Sequence, residues 1–394
     1  MAWLVSRFLV VRSASVSRVA SSLSNILTLI IDVGRRQPVG QADLEDSNVA
    51  NIGSAEDRAA RKAAAETQPA WEGAGAAPGI EIWRVEKFEV KKIDAADHGK
   101  FYGGDSYIIL LTTENEDGTL KWDIHFWLGA ETSVDEMGTA AYKTVELDNL
   151  LDDAAVQHRE VQDHESSSFL AAFNPAIQVL AGGIDSGFRH VEPESYTPRL
   201  LHVKKVGKNT RVSQVALEAA SLNQHDVFVL DAGLTLYQFE GEMASAFEKH
   251  KAAEVVAAIR SDRDGQPEMG EPLSPEFWEL LGGEAEISTE DHAPSDPAPE
   301  PSLWKLTDDS GELTFDKVAD APLSTDMLES DDVFILDTGI EVFIWIGEGA
   351  SYGERYNAMP HAMEYLTNQN RPSYLPITRL VQGGETQAFN KCFE

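Results

Sequence analysis

Gly104-Asp105-Ser106-Tyr107-Ile108-Ile109-Leu110 recurs twice more in the chain, as His225-Asp226-Val227-Phe228-Val229-Leu230 and as Asp331-Asp332-Val333-Phe334-Ile335-Leu336. Each copy is one acid followed by a short β-branched and aromatic run, the pattern of a buried strand. A second strand follows each time: Ile124–Gly129, Leu236–Gly241 and Val342–Gly347. A helix comes next, with Glu136, Glu248 or Glu354 in its first turn. Each unit closes on a further motif, Glu160–Phe173, Glu271–Leu281 and Gly383–Phe393, and opens on an amphipathic strand, Ile80–Val90, Arg199–Val206 and Ser302–Leu306. A repeat of this kind decides the fold. The expected class is α/β (α+β): three small repeats, each a central mixed sheet flanked by helices.

The acid and the glutamate stand 31 residues apart in the first unit (105 to 136) and 22 apart in the others (226 to 248, 332 to 354). The extra nine fall in Thr112–Asp123, where Asp117-Gly118 reads as a hairpin turn. An insertion confined to a turn is what a shared scaffold allows.

Outside the repeats the chain is punctuated. Residues 1–31 carry Arg7, Arg12 and Arg18, many serines and no acid, the composition of a mitochondrial transit peptide or of a leader without function. The apolar stretch Leu23–Val33 is far shorter than the ~20 residues that span a bilayer. Residues 1–70 are expected to be leader and disordered tail, and Glu56–Glu66 to form at most a short helix within it. Glu284–Pro301 holds six acids, four prolines and no lysine or arginine, so it reads as an extended, self-repelling linker. Phe188–Leu200, with Pro193 and Pro198, marks an earlier boundary. The expected domains are therefore 71–190, 191–283 and 302–394.

All 394 residues together carry 32 basic and 66 acidic side chains, a net charge of −34. Hydrophobic residues make up 42%, enough for packed cores. A field this negative argues against nucleic acid and anionic membranes and suits cations or a basic partner. Cys392 is the one cysteine, so disulfide frameworks and cysteine-cluster metal sites are excluded. No N-glycosylation sequon occurs, and a reducing intracellular compartment is the default.

A single acid before a strand and a single glutamate at a helix start would be two solvated charges, the second explained by the helix dipole. Threefold recurrence at two fixed places points instead to a site. Carboxylates with a backbone carbonyl are hard oxygen ligands, and Ca²⁺ accepts six to eight of them at ~2.3–2.6 Å. Zinc would require His or Cys, and neither recurs at these positions. His158 and His164 are not repeated and read as surface or core polar residues.

Pro78–Phe88 (PGIEIWRVEKF), Val156–Gln162 (VQHREVQ) and Gly187-Phe188 look like signatures of a gelsolin-type domain. From about Trp71 to Glu394 the chain resembles the first three repeats of the gelsolin/villin family, as in severin, fragmin and macrophage-capping protein. The resemblance implies a calcium-regulated, non-enzymatic monomer of the cytoplasm and cytoskeleton that severs actin filaments and caps their barbed ends. The alternative is calcium-dependent capping and monomer binding without severing.

It also implies ligands. In the first repeat these are Asp105 and Glu136 with the carbonyls of Gly104 and Ile184. A second site there comprises Asp148 and the carbonyls of Asp153 and Ala155, and an actin carboxylate completes it. In the second repeat Asp226, Glu248 and the His225 carbonyl match, with Glu284, Glu286 or Glu290 as third acid. In the third, Asp332, Glu354 and the Asp331 carbonyl match. Ser133–Leu151 reads as one helix, with Val134, Met137, Ala141 and Val145 on its core face. Tyr142, Leu147 and Leu150 lie partly off that stripe, and periodicity alone puts them in the core too; the resemblance instead gives the helix actin contacts at Met137, Tyr142, Leu147 and Asp148, with Phe188 beyond it. The basic strand Arg199, Lys204, Lys205, Lys208 and Arg211 is expected to bind phosphoinositides, weakly, or the filament side. A second lipid site of the family falls at Phe173–Ala181, which here carries no basic residue.

One enzymatic reading competes. Gly349-Ala350-Ser351-Tyr352-Gly353 fits the G-x-S-x-G nucleophile pattern between a strand and a helix, but the other two repeats lack it.

Overall fold

The computed structural model describes residues 55–183, 196–290 and 299–393. Ile184, Phe188, the leader and the middle of the acidic linker lie outside these. The first repeat contains β1 (Gly79–Glu86), β2 (Glu89–Lys92), β3 (Lys100–Tyr102), β4 (Ser106–Glu114), β5 (Leu120–Leu128), β6 (Val156–Val161) and β7 (Ile177–Leu180). The second contains β8 (Arg199–Val206), β9 (Asn209–Val215), β10 (Val227–Asp231), β11 (Thr235–Glu240) and β12 (Glu268–Met269). The third contains β13 (Ser302–Thr307), β14 (Thr314–Asp320), β15 (Val333–Asp337), β16 (Val342–Ile346) and β17 (Ile377–Val381). Helix α1 (Ala55–Glu66) precedes the first repeat. Helices α2 (Val134–Leu150) and α3 (Ser167–Ala171) belong to it, α4 (Ala246–Asp262) and α5 (Pro275–Leu280) to the second, and α6 (Tyr352–Asn368) and α7 (Gln387–Asn390) to the third.

Strand order is the same in each repeat. β1, β8 and β13 each lie between their hairpin partner and the buried strand β4, β10 or β15. The last pairing, β5·β6, β11·β12 or β16·β17, is parallel, which makes every sheet mixed. The buried strands alternate between two cores. In β15, Val333 and Ile335 face α6, while Phe334 and Leu336 face the opposite core with Phe389. β4 and β10 divide their side chains in the same way. The closing motifs form α3, α5 and α7, whose caps Ser166, Ser274 and Thr386 each accept from the backbone N–H of a phenylalanine. Phe169, Phe277 and Phe389 are fully buried, and each contributes on the order of 1.5–3 kcal/mol by leaving water.

Three expectations change. The sheets are not separate: β17 of the third repeat pairs antiparallel with β6 of the first, giving one ten-stranded sheet. β7 pairs with β9, so β3 and β7 extend the second repeat's sheet to seven strands. Edge strands carry unpaired backbone groups that satisfy one another on contact. Next, Ile80–Val90 is a hairpin and not one strand, because Lys87 and Phe88 adopt φ of 52° and 70°. Finally, the exposed tail is folded at its end. α1 packs on α2, with Ala65 buried, Arg61 Nη1 donating to Asn149 Oδ1 at 3.1 Å and Lys62 Nζ 2.6 Å from Asp152. Trp71 stands edge-on to Trp83 at 5.0 Å and donates its indole N–H to Glu146 at 2.8 Å.

Two buried ion pairs repeat as well. Asp231 receives Arg263 at 2.8 Å, Arg199 at 3.1 Å and the Tyr196 hydroxyl at 2.5 Å. Asp337 receives Arg371 at 2.7 Å and the Tyr365 hydroxyl at 2.8 Å. Burial works to raise the Asp231 pKa, but the bonds from Arg263 and Tyr196 outweigh it and hold the carboxyl below its ordinary value. Arg263→Met leaves that carboxylate buried with fewer donors. It is expected to cost about 3 kcal/mol in urea unfolding of the chain at neutral pH.

Candidate functional site

The three aspartates sit at the same turn. Each is buried, and its own carbonyl accepts from a glycine at the end of the neighbouring strand: Gly129, Gly241 and Gly347 donate to Asp105, Asp226 and Asp332 at 3.0–3.1 Å. A Cβ on any of the three would lie within 2.4 Å of a backbone oxygen, so only glycine allows the strand to close on the loop. The three glutamates occupy the N3 position of capping boxes whose caps are Ser133, Ser245 and Ser351. Their second oxygens differ. Glu248 Oε1 accepts from Lys205 N, and Glu354 Oε1 from Asp308 N, both at 2.9 Å. Those donors end β8 and follow β13, so helix and first strand are tied in these two repeats. Among the described residues Glu136 is bonded to Thr132 and Ser133 only. Ser106 Oγ lies 2.9 Å from Thr132 Oγ1 and links its surroundings to the Asp105 turn.

The residues present fit a hard divalent cation. Asp332 Oδ1 is buried without a hydrogen-bond partner among the described residues. A Cβ on Gly183 would fall 2.5 Å from Asp105 Oδ1, so the backbone at this glycine approaches that oxygen closely. In the second repeat, Gln224 N donates to Ser288 O at 2.8 Å and His225 Nε2 lies 2.9 Å from Thr289 O. The start of the acidic linker therefore runs beside the Asp226 turn. Of the three candidate third acids, Glu290 directly follows this contact.

Asp148 is 2% exposed near the end of α2. It accepts from Ala155 N at 3.0 Å and Gln157 Nε2 at 2.6 Å, and Arg379 of β17 lies 3.6 Å away. Burial raises its pKa to about 6, although Arg379 and the two donors pull it down. Asp152 and Asp153 close the turn at φ of 63° and 58°, the region that favours glycine.

Helix α2 buries Ala140, Thr144, Leu147 and Asp148. This corrects two expectations. Leu147 is fully buried in the core and cannot present itself to a partner, while Val145, placed on the core face by its spacing, is 46% exposed. Small and hydroxylated residues at 140 and 144 concealed the true stripe. Tyr142 is 66% exposed, and Met137 packs partly against the core. Tyr142 and Val145 continue at helical spacing to Asn149, which Arg61 of α1 contacts, while Lys62 of α1 pairs with the exposed Asp152 just past the helix.

On the basic strand, Arg199 is taken by Asp231 and Arg211 by Glu165 at 3.1 Å, so these two face inward. Lys205 and Lys208 are exposed, and Lys204 is half-buried. Ser351 is a helix cap whose hydroxyl lies 2.7 Å from Asp308, and it is not placed as a nucleophile.

At the seam between β6 and β17, Thr378 pairs with His158 and Arg379 with Gln157. His158 bridges Asp123 Oδ1 and Thr378 Oγ1, each at 2.9 Å, and stacks on His125 at 4.2 Å. His125 donates to the buried Glu160. His125, His158 and Glu160 are close enough to share a metal, but Glu160, Asp123 and Thr378 already engage the ring nitrogens. The cluster fastens the seam.

The model of the gelsolin repeat matches residues 87–170, 208–277 and 314–390. The chain belongs to the gelsolin family. Severin of Echinococcus granulosus is 40% identical over 365 residues, 89% of this chain and 96% of that protein. Gelsolin of Drosophila melanogaster is 41% identical over 343 residues, 83% of this chain. This chain spans only 43% of that longer protein. The actin depolymerising venom protein gelsolin 1 of Platymeris rhadamanthus is 38% identical over 338 residues, 82% of this chain and 90% of its own. Three gelsolin repeats thus match the three-domain type. Among the described residues no helix is long and apolar enough to cross a membrane.

Proposed function

We propose that this gelsolin-family chain is a calcium-gated actin-binding protein that severs filaments and caps their barbed ends. The observation that carries the reading is the exposed Tyr142–Val145 stripe on a 17-residue helix with the buried Asp148 carboxylate at its foot. An apolar helix face of this kind suits a hydrophobic groove on a partner. The names of its relatives, severin and an actin depolymerising gelsolin, support actin as that partner.

Four sites would hold calcium. They are Asp105 and Glu136 with the Gly104 carbonyl, Asp148 with the Asp153 and Ala155 carbonyls, Asp226 and Glu248 with the His225 carbonyl and Glu290, and Asp332 and Glu354 with the Asp331 carbonyl. Calcium bound there would supply a divalent charge in place of the neighbouring basic side chains, with a flexible set of oxygen-ligand positions. Without it, Arg379 serves Asp148 from across the seam, and β6·β17 stays paired. With Asp148 satisfied locally, Arg379 loses its partner and the seam weakens. This is a population shift between closed and open arrangements. The opened first repeat wedges α2 between filament subunits and remains on the exposed end.

Capping without severing is the second reading. It is favoured by the inward pairing of Arg199 and Arg211, which leaves Lys204, Lys205 and Lys208 for the filament side or for a phosphoinositide headgroup. Single-filament microscopy separates the two. The expected result is cutting and blocked barbed-end growth in calcium, and neither in chelator. Blocked growth with uncut filaments selects the second reading. Unaffected filaments in calcium overturn both.

A further inference from the structure

Arg84, His202 and Lys305 occupy one register position in the three repeats. Each lies on the first strand of its sheet, directly opposite the residue two beyond the metal aspartate: Arg84 opposite Tyr107, His202 opposite Phe228 and Lys305 opposite Phe334. Opposed residues share a sheet face, and so do residues i and i+2. The chain therefore places a basic side chain beside each of Asp105, Asp226 and Asp332.

Their grips differ. Lys305 Nζ lies 2.7 Å from Asp332 Oδ2 and 2.6 Å from Glu329. It takes one oxygen of a carboxylate whose other oxygen is the buried, unpartnered Oδ1. His202 Nε2 lies 2.8 Å from Asp226 Oδ2. Arg84 spends its guanidinium on Glu86, with Nε at 2.9 Å, and stands 3.8 Å from Asp105 Oδ2.

We infer that the basic residue at this register, a permanent cation in the first and third repeats, holds the metal aspartate in the calcium-free state and opposes the ion's entry, so that the strength of its grip sets the order in which those two sites load. The inference rests on reading these aspartates as calcium ligands. An ammonium and a divalent ion on one carboxylate repel at short range, and little water lies between them to screen the repulsion. Lys305 is a compact point charge held at contact distance, whereas the charge of Arg84 is shared with Glu86. The first repeat's Asp105 site therefore fills at lower calcium than the third repeat's Asp332 site.

Calorimetric calcium titration of the full chain tests this, with Asp332→Asn identifying the third repeat's part of the isotherm. Lys305→Gln is expected to tighten that site on the order of tenfold. Lys305→Arg is expected to stay near wild type, and Arg84→Gln to move the Asp105 site by less than about threefold, as a partly exposed and divided pair should. The calcium-induced rise in melting temperature should also be larger in Lys305→Gln than in wild type, even if that variant folds poorly in chelator. Unchanged or weakened binding in Lys305→Gln overturns the inference, because Lys305 would then support the bound ion. Identical isotherms for wild type and Asp332→Asn overturn the ligand reading itself, and the inference with it.

Discussion

Tyr142→Ala combined with Val145→Asp lowers the affinity for actin about 100-fold and leaves the melting temperature unchanged. The two side chains are the exposed apolar part of α2. Truncating a central aromatic anchor and placing a charge beside it removes ~2.7 kcal/mol of binding free energy. Neither side chain supports the core, and exposed substitutions of this kind stay within ~0.5 kcal/mol of wild-type stability. Leu147→Ala is the contrasting variant. It empties a fully buried position one turn away and is expected to cost ~2–5 kcal/mol of stability. Co-sedimentation with filaments and thermal melting of both variants distinguish a surface that binds from a core that folds. Equal loss of binding in both, accompanied by unfolding, would place the binding surface elsewhere.

Arg379→Gln lowers the calcium concentration for half-maximal filament cutting by about tenfold. Arg379 is the third repeat's charge in the first repeat's carboxylate site, 3.6 Å from Asp148. Removing it withdraws an electrostatic tie from the closed arrangement and a competing cation from Asp148. Either effect alone is worth on the order of 1 kcal/mol for a pair at this distance, and both act in the same direction. Asp148 keeps its bonds from Ala155 and Gln157, so the turn should hold. Severing measured against buffered calcium gives the midpoint. An unchanged midpoint would show that Arg379 fills space at the seam without opposing calcium.

The repeat was legible because its signals are local. A buried strand, a capping serine three residues before a glutamate and a phenylalanine three after a cap are each written within a few positions. The glutamates were legible as recurring residues, and their capping-box partners confirm a structural role beside any ligand role. What joins the repeats was not legible. The pairing of Arg379 with Gln157 and the stacking of His158 on His125 depend on which sheet edges meet, and no spacing records that. The same holds for Arg84, His202 and Lys305, whose equivalence appears only once strand register is known. The helix at Glu56–Glu66 was legible but its docking was not, because AEDRAARKAAAE carries no large apolar residue. It packs through alanine and two cations, which periodicity reads as a solvated face. The rotation of α2 was missed for a related reason, since Ala140 and Thr144 are weak markers of burial.

The central claim is that calcium opens the β6·β17 seam. Hydrogen exchange of the backbone amides at 157–159 and 377–379, followed by mass spectrometry in chelator and in calcium without actin, tests it most directly. The account predicts protection in chelator and exchange at least ~10-fold faster in calcium, with β4 and β15 unchanged as central strands. Equal protection in both conditions, in a preparation that calcium still activates, would contradict it.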